Sequence, residues 1–218
     1  MLLAEDILLL ATEDATGKKL ARYTDLLVAG GLLSDLALAG NVRLTEPGES
    51  VRKNRMVVVP DAAWPADPLL GEALTALGGK PAWYPSMAVE RLGRKLIDHK
   101  PVDELYQRLA RAELVSRTSH RVLGLVPTTR WISVDGRYEA AMREQFDAVL
   151  LFDAAPDPRI AALVALLTGA GVLVPVVARG RNVDRRALKR QGKALLTQYW
   201  AAQAMQRAFQ NRDAAAAG

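Results

Sequence analysis

Apolar residues recur along most of this chain at spacings of three to four, and at a spacing of two in only two short places. The first spacing predicts helices and the second predicts β-hairpins. Since no strand alternates with helices as a parallel sheet requires, we expect one mainly α domain over residues 1–212, with two small β-hairpins and a disordered tail at 213–218. The expected helices span residues 2–10, 23–29, 32–39, 68–77, 85–97, 101–114, 138–151, 159–167 and 184–212.

Polar residues and glycines set the expected faces and ends of these helices. Glu5 and Asp6 are expected on the outer, solvated face of the first helix. The pair Gly30-Gly31 is expected to separate two helices, since glycine weakens a helix interior. The apolar, β-branched run at 172–177 predicts either a short buried helix or a strand, and the pattern does not distinguish the two.

The second hairpin has an unusual sequence. The first, from residues 42–44 and 56–59, has a polar loop, whereas the second reads HRVLGLVPTTRWISVD and is apolar close to its turn. Such a hairpin normally packs one apolar face on helices, because two strands alone are marginally stable. It can instead enter a bilayer, where Trp favours the interface and Arg meets anionic lipid. The candidate membrane-inserting residues are Val122, Leu123, Leu125, Val126, Arg130 and Trp131.

Composition excludes several kinds of active site. The 218 residues include no cysteine and only two histidines, which excludes thiolate sites, a cysteine nucleophile and histidine-rich metal sites. Glycine-rich nucleotide-binding loops, the H-E-x-x-H zinc motif and the G-x-S-x-G nucleophile motif do not occur. We therefore expect neither a metal site nor a cofactor.

Positive charge is the stronger chemical signal. A formal net charge of +5 and an isoelectric point of about 9.6 favour anionic partners. Two helical segments concentrate basic residues, because positions three and four apart share one helix face. Each is either a solvated face or a surface that binds phosphates. The first contains Arg91, Arg94, Lys95, His99 and Lys100, and the second contains Arg185, Arg186, Lys189, Arg190 and Lys193.

No part of the sequence predicts a transmembrane segment. A span needs about 18 or more consecutive apolar residues, whereas the longest apolar run, near 161–177, is interrupted by Gly169 and Gly171. The start of the chain has Glu5 and Asp6 where a signal peptide has basic residues. We expect a cytoplasmic protein that attaches to membranes at most peripherally.

Five segments of the sequence, in this order, resemble the Golgi phosphoprotein 3 family. They are LLAEDILLLATEDATG, LLSDLALAGNVRL, DPLLGEAL, LVSRTSHRVLGLVPTTRW and DPRIAALVALLTGAGVL. Together they extend the resemblance from about Leu2 to Phe209. No single segment is as specific as a metal-binding motif, and the match rests on five in register. The compact chain and its bias to Ala, Arg and Leu resemble bacterial members.

The resemblance implies a helical core ringed by amphipathic helices, and it implies no catalysis. Eukaryotic members of that family bind phosphatidylinositol 4-phosphate in a basic pocket and insert an apolar β-hairpin into the bilayer. They also act as adaptors for the cytoplasmic tails of membrane enzymes. The inserted hairpin and its preceding helix correspond to residues 109–131 here, so the resemblance implies that HRVLGLVPTTRWIS faces a membrane.

The head-group pocket of that family is matched only in part. The family has a Trp and an Arg near the start of its second helix and two Arg before the hairpin. Here Tyr23 stands near the Trp position and His99 at one Arg position, while the other positions fall near Ala29 and on Val102. We expect attraction to anionic lipid without the bidentate Arg set that selects one phosphoinositide. The candidate head-group residues are Arg22, Tyr23, Arg91, Arg94, Lys95, His99 and Lys100.

Two other functions remain open for this sequence. Helices followed by a hairpin, twice, also resemble winged-helix nucleic-acid-binding domains. The helices before the hairpins, LLSDLALAG and VDELYQRLARAEL, are however apolar or acidic, where a recognition helix offers Arg, Asn and Gln to base edges. Nucleic acid is therefore the less favoured partner. A soluble adaptor whose apolar hairpin binds protein is the other alternative, and a homo-oligomer also remains open.

Overall fold

The computed structural model describes residues 1–14, 16–99, 101–122, 126–134, 136–152 and 154–218, and at 95–99, 101, 119–122 and 126–128 it describes the backbone alone. The described residues are mainly α-helical with two small antiparallel hairpins, as the apolar pattern predicts. Their helices are α1 (Leu3–Leu10), α2 (Thr24–Leu38), α3 (Pro68–Gly78), α4 (Pro85–His99), α5 (Pro101–Arg111), α6 (Arg137–Leu150), α7 (Pro158–Gly169), α8 (Leu173–Val177), α9 (Arg185–Leu196) and α10 (Trp200–Ala217). Their strands are β1 (Val42–Leu44), β2 (Met56–Val58), β3 (Val115–Val122) and β4 (Val126–Ser133).

The helix α2 lies at the centre of the fold and continues through Gly30 and Gly31, so the predicted break at these glycines is wrong. Glycine weakens a helix interior by about 1 kcal/mol relative to alanine, and close packing offsets that cost here. A Cβ atom on Gly30 would lie 2.6 Å from Sδ of Met205, and one on Gly31 would lie 2.7 Å from Cα of Ala4. The two glycines therefore mark the places where α10 and α1 cross α2.

The outward placement expected for Glu5 and Asp6 is also wrong, because both side chains are buried. Nε of Arg108 lies 2.7 Å from Oε1 of Glu5, and Arg159 pairs with the Asp6 carboxylate. The hydroxyl of Tyr138 donates a hydrogen bond of 2.7 Å to Oδ1 of Asp6. Buried carboxylates persist where such partners satisfy them. The periodicity of apolar residues in one helix cannot reveal ion-pair partners, such as Arg108 and Arg159, that lie far along the chain.

The basic C-terminal region forms two helices, α9 and α10, and the expected single helix is wrong. In the break, the carbonyl of Ala194 accepts a 2.7 Å hydrogen bond from Oγ1 of Thr197. The carbonyl of Thr197 accepts one of 2.9 Å from Nε2 of Gln203. These side chains satisfy carbonyls that a helix end leaves unpaired. The helix α10 extends to Ala217, past the predicted helix end at residue 212, through a run in which alanine favours helix.

The other elements begin and end close to their predicted positions. The alternative left open at 172–177 is decided in favour of a short helix, α8, which follows Gly171 with its left-handed φ of 74°. Asp67 and Asp157 cap α3 and α7, since each carboxylate accepts from a backbone N–H two residues later, at 3.0 and 2.8 Å. Each cap precedes a proline in the first turn of its helix, an arrangement that marks a helix start in the sequence.

The β3–β4 hairpin is the longer of the two and extends from the core. Its register runs from Val115 opposite Ser133 to Val122 opposite Val126. Each strand has eight residues, which corresponds to a length of about 25 Å. The backbone N–H of Ser133 donates to the carbonyl of Asp14 over 3.3 Å, which holds the base of the hairpin to the segment after α1.

The helices pack around α2, which directly contacts α1, α4, α7 and α10. Within the described part of the chain, no helix combines the length and the apolar content needed to cross a membrane. In the same part of the chain, no three His, Asp or Glu side chains are grouped so that they could hold a metal ion.

Candidate functional site

The aromatic residue predicted to meet a head group lies where α2 begins and α10 ends. The ring of Tyr23 contacts the ring of Phe209 in a T-shaped arrangement, with 5.3 Å between the centroids. The hydroxyl of Tyr23 donates to Oδ1 of Asp213 over 2.7 Å. This hydrogen bond raises the pKa of Tyr23, because it stabilises the protonated phenol.

The helix α4 completes a junction with these two helices. A Cβ atom on Gly93 would lie 3.1 Å from Cδ2 of Leu26 and 3.3 Å from Oδ2 of Asp25, so α4 packs closely on the first turn of α2. Nδ2 of Asn211 donates to Oε1 of Glu90 over 3.2 Å, which links α4 to the end of α10. Side chains from three helices therefore meet around Tyr23.

Two arginines lie over the ring of Tyr23, and both are paired with carboxylates. The guanidinium carbons of Arg22 and Arg212 are 5.3 and 4.9 Å from the ring centroid. Nη1 of Arg22 lies 2.6 Å from Oδ1 of Asp213, and Nη1 of Arg212 lies 2.7 Å from Oδ2 of Asp25. The side chain of Arg22 remains 68% exposed. Its ion pair is therefore screened by water and weak.

Two further arginines stand on α4 beside Gly93. Arg91 and Arg94 are three positions apart and share one face of the helix. Within the described residues neither has a carboxylate at ion-pair distance, and Nε of Arg91 is buried without a hydrogen-bond partner. An unsatisfied guanidinium is a suitable partner for phosphate oxygens. We define the Tyr23 junction as Arg22, Tyr23 and Asp213, with Arg91 and Arg94 on the helix α4 that packs on the start of α2.

The rest of the predicted head-group set lies outside what the structure describes. Lys100 is outside the described residues, and the side chains of Lys95 and His99 are outside them as well. The backbone places Lys95 and His99 on α4, one and two turns beyond Arg91. Their contribution to head-group binding stays a prediction.

The base of the β3–β4 hairpin belongs to the core. The ring of Trp131 stacks on that of Tyr106, with 5.3 Å between the centroids and an interplanar angle of 4°. The hydroxyls of Tyr106 and Thr12 share a hydrogen bond of 2.8 Å. Arg130 is partly exposed and pairs in the register with Thr118. Because Trp131 packs on the helical domain, its contact with a membrane stays a prediction that the fold does not require.

The far end of the hairpin lies partly outside the described residues. The backbones of Val122 and Val126 face each other at the end of the register, while their side chains are not described. Leu123 and Leu125 lie outside the described residues. The register leaves Leu-Gly-Leu to connect the two strands. Turns usually contain polar residues such as Asn, Asp and Ser, whereas the sequence here is apolar, and its contact with a membrane stays a prediction.

Four charged residues lie at the base of the hairpin. Nη1 of Arg179 is 2.7 Å from Oδ1 of Asp14, and Nη2 of Arg143 is 3.6 Å from its Oδ2. Nη2 of Arg143 also lies 3.0 Å from Oε2 of the buried Glu139. Burial, together with the negative charge of Asp14, raises the pKa of Glu139 to about 7 despite that guanidinium. This carboxyl group is therefore partly protonated near neutral pH.

The predicted basic residues of α9 all lie on the surface. Leu188 and Leu195 of the same helix are buried in the core. Within the described part of the chain, none of the basic side chains of α9 has a carboxylate at ion-pair distance. By contrast, Arg181, just before α9, pairs with Asp147 over 2.5 Å. The exposed side chains are Arg185, Arg186, Lys189, Arg190 and Lys193, which we call the α9 basic face.

The sequence pattern does not reveal the partners that surround Tyr23. Asp213 follows Tyr23 by 190 residues, and Phe209 and Arg212 stand on the same last helix. Their only trace in the sequence is the alternation of apolar and charged positions that predicts an amphipathic helix. Nothing in that alternation indicates which helix start it contacts.

Residues 3–212 of the chain match the sequence model of a protein family described as Golgi phosphoprotein 3 (GPP34). The match includes every helix and strand from α1 to α9 and most of α10, and therefore the Tyr23 junction except Asp213. No curated protein matches the chain.

Proposed function

Because the chain belongs to the Golgi phosphoprotein 3 (GPP34) family, we propose that it is a non-enzymatic peripheral membrane protein that binds anionic phospholipid head groups. The Tyr23 junction receives the head group, and Lys95, His99 and Lys100 add positive charge beside it. The apolar end of the β3–β4 hairpin, at residues 122–126, enters the bilayer. In this position the protein can also bind the cytoplasmic tails of membrane enzymes.

The observation that carries the proposal is the apolar sequence at the far end of the β3–β4 register, where Val122 pairs with Val126, on a hairpin whose base is fixed by the stacking of Trp131 on Tyr106. Burying one large apolar side chain contributes about 1.5–3 kcal/mol. Each Lys or Arg near an anionic surface adds about 1 kcal/mol. Since neither contribution alone gives stable attachment, membrane binding requires the hairpin and the basic residues together.

The Tyr23 junction supports the head-group part of the proposal through the position of one carboxylate. Asp213 forms an ion pair with Nη1 of Arg22 at 2.6 Å and accepts a hydrogen bond from the hydroxyl of Tyr23. A phosphate oxygen has the same charge and accepts the same donors. The carboxylate therefore marks a position suited to an anion, with Arg91 and Arg94 on the neighbouring helix.

The placement of α2 disfavours the nucleic-acid alternative. In a winged-helix domain the helix before the hairpin enters the major groove and must present an exposed face. Here α2 precedes the first hairpin and is buried at every position from 26 to 34. Its exposed positions are too few to read base edges.

Co-sedimentation with vesicles tests the proposed function. Binding is compared between neutral phosphatidylcholine vesicles, vesicles with phosphatidylserine, and vesicles with phosphatidylinositol 4-phosphate at matched charge. We expect binding to both anionic sets and none to the neutral set. Stronger binding to the phosphoinositide would show a selective pocket. Absence of binding to all three would contradict the proposal and favour a protein partner for the hairpin.

A hairpin variant separates insertion from folding. Leu123→Asp with Leu125→Asp places two charges at the strand connection, and we expect it to abolish vesicle binding because charges do not enter hydrocarbon. The matched control, Thr129→Asp with Val134→Asp, adds the same charges at exposed positions nearer the base. It should bind as wild type. Trp131 is left intact, because its stacking on Tyr106 would confuse a loss of binding with a loss of fold.

A further inference from the structure

We propose that the α9 basic face is a second membrane-contact surface, which adds electrostatic contacts to an anionic bilayer at a place separate from the hairpin and the Tyr23 junction. This inference rests on the membrane attachment proposed above. It assigns α9 the role of strengthening that attachment without selecting a head group.

The arrangement of the basic residues on α9 suits a flat surface. At 100° per residue, positions 185, 186, 189, 190 and 193 fall within an arc of about 140° on one side of the helix. They extend over about 12 Å of its axis. All five side chains are exposed. A plane of phosphates can therefore meet all of them in one orientation of the protein.

The core holds α9 so that this face cannot turn inward. Leu188 and Leu195 are buried on the other side of the helix. A Cβ atom on Gly192 would lie 2.5 Å from both Cδ2 of Leu173 and Oγ1 of Thr168, so α9 packs tightly on α7 and α8. The charges are thus held in place before any partner binds, which lowers the entropic cost of association.

The charges of α9 are also available to a partner. Within the described residues none of them has a carboxylate at ion-pair distance. The nearby Arg179 and Arg181 are instead neutralised by Asp14 and Asp147. Asp184, the acidic residue next to the face, is occupied in capping α9 and accepts from the N–H groups of residues 186 and 187.

The α9 basic face and the Tyr23 junction lie near opposite ends of α10. The carbonyl of Thr197, directly after α9, accepts a hydrogen bond from Gln203 in the first turns of α10. Asp213, in the junction, lies near the other end of α10. The start of α10 and Asp213 are about 20 Å apart along the helix axis. One lipid head group cannot bridge this distance, so the two sites would contact different lipids.

A bilayer fits the composition of this face better than a nucleic acid does. The face consists of Arg and Lys alone. It has no aromatic side chain on which bases could stack, and no Asn or Gln among its members to read adenine. Near anionic lipid, each Lys or Arg raises affinity by about fivefold.

The test compares two triple variants of the full chain. Arg185→Gln, Lys189→Gln and Lys193→Gln neutralise one row of the face, and Gln preserves helix propensity. The matched control removes the same charge at exposed sites elsewhere, with Arg52→Gln, Lys53→Gln and Lys80→Gln. Affinity for phosphatidylcholine vesicles with phosphatidylserine is measured across a range of salt concentrations. Circular dichroism checks that both variants fold.

We expect the α9 variant to bind roughly tenfold or more weakly than wild type, with a shallower salt dependence, while the control changes far less. Equal binding by the two variants would overturn the inference. So would weaker binding to duplex DNA with unchanged vesicle binding, since that result assigns the face to nucleic acid.

Different results would contradict the role of α9 and the proposed membrane binding. If wild type binds no vesicles, both are overturned. If wild type binds and the Leu123→Asp, Leu125→Asp variant loses binding while the α9 variant does not, only the role of α9 is overturned.

Discussion

Arginine has opposite roles in two regions of this molecule. In the core, Arg108 and Arg159 pair with the buried carboxylates of Glu5 and Asp6. On α9, the basic side chains are exposed and have no carboxylate at ion-pair distance within the described residues. A buried pair constrains both partners, and breaking it leaves a costly unpaired charge. An exposed, unpaired arginine costs little to replace and leaves its charge for another molecule.

In the way its arginines are paired with carboxylates, the base of the β3–β4 hairpin is intermediate between the core and α9. Arg143 and Arg179 face Asp14 and Glu139 there, but Glu139 is buried and its pKa is still raised to about 7. A nearby guanidinium therefore does not ensure an ionised partner, because burial opposes ionisation. Whether an arginine holds the fold together or remains free for a ligand depends on the burial of its partner.

Arg159→Met should have the largest effect. It leaves the carboxylate of Asp6 buried without its cation, which is expected to lower the free energy of unfolding by about 3 kcal/mol. Urea denaturation measures the change. Arg190→Met on α9 is the matched control and should cost less than about 0.5 kcal/mol. Equal losses in the two variants would remove the distinction between paired and free arginines.

Gly31→Ala tests whether the stability of the core depends on the close backbone packing of α1 on α2. The new methyl group would meet the backbone of Ala4 at 2.7 Å, on the helix that carries Glu5 and Asp6. We expect a loss of about 1–3 kcal/mol from overpacking. Gly78→Ala, where nothing lies within 4 Å of the added atom, should be neutral or stabilising. Thermal and urea denaturation compare the two, and similar effects would contradict the crossing of α1 over α2.

The pH dependence of stability examines the intermediate region. The pKa of Glu139 is raised from 4.5 to about 7 by burial, so the folded protein binds more protons between these values. The free energy of unfolding should therefore fall as the pH rises from about 4.5 to 7. Glu139→Gln should remove this fall and raise stability at pH 8 on the order of 1 kcal/mol.

Asp35 is unchanged in both proteins and serves as an internal reference for this experiment. Burial raises its pKa to about 6, so it contributes a fall of the same sign at lower pH in both proteins. Urea denaturation at several pH values from 4 to 8 should show a difference between wild type and Glu139→Gln that grows up to about pH 7. Identical profiles would contradict the assigned protonation of Glu139.

Asp213→Asn should have the smallest effect on folding, because the pair it breaks is exposed. It removes the negative charge that pairs with Arg22, and affinity for anionic vesicles should rise by about fivefold. Asp61→Asn makes the same change of charge at an exposed site and serves as the control. A rise of equal size in both variants would show an effect of net charge alone, without a role for the Tyr23 junction.

The fold could be predicted from the sequence where the residues within one helix or hairpin are enough to determine its structure. Proline after aspartate marks the starts of α3 and α7, and alternating apolar residues mark both hairpins. The errors occur where a second element decides. Gly30 and Gly31 end a helix in isolation, but here they admit Met205 and Ala4. Glu5 and Asp6 are solvated residues in isolation, but here distant arginines pair with them in the core.

The candidate site could be predicted only through residues that stand out by their type. Tyr23 and the basic residues of α4 and α9 have spacings that a helix converts into a face. Asp213 has no such signal, because its importance comes from a contact with Tyr23 across 190 residues. The same limit applies to Trp131, whose stacking on Tyr106 is invisible in the apolar pattern.

The sequence separation between Tyr23 and Asp213 has a consequence for biosynthesis. A ribosome makes Arg22, the hairpin and the arginines of α4 well before Asp213, which follows Tyr23 by 190 residues. A nascent chain therefore has Arg22 without the carboxylate that later pairs with it. The ion pair between Arg22 and Asp213 can therefore form only after the last helix has been made and has docked on the start of α2.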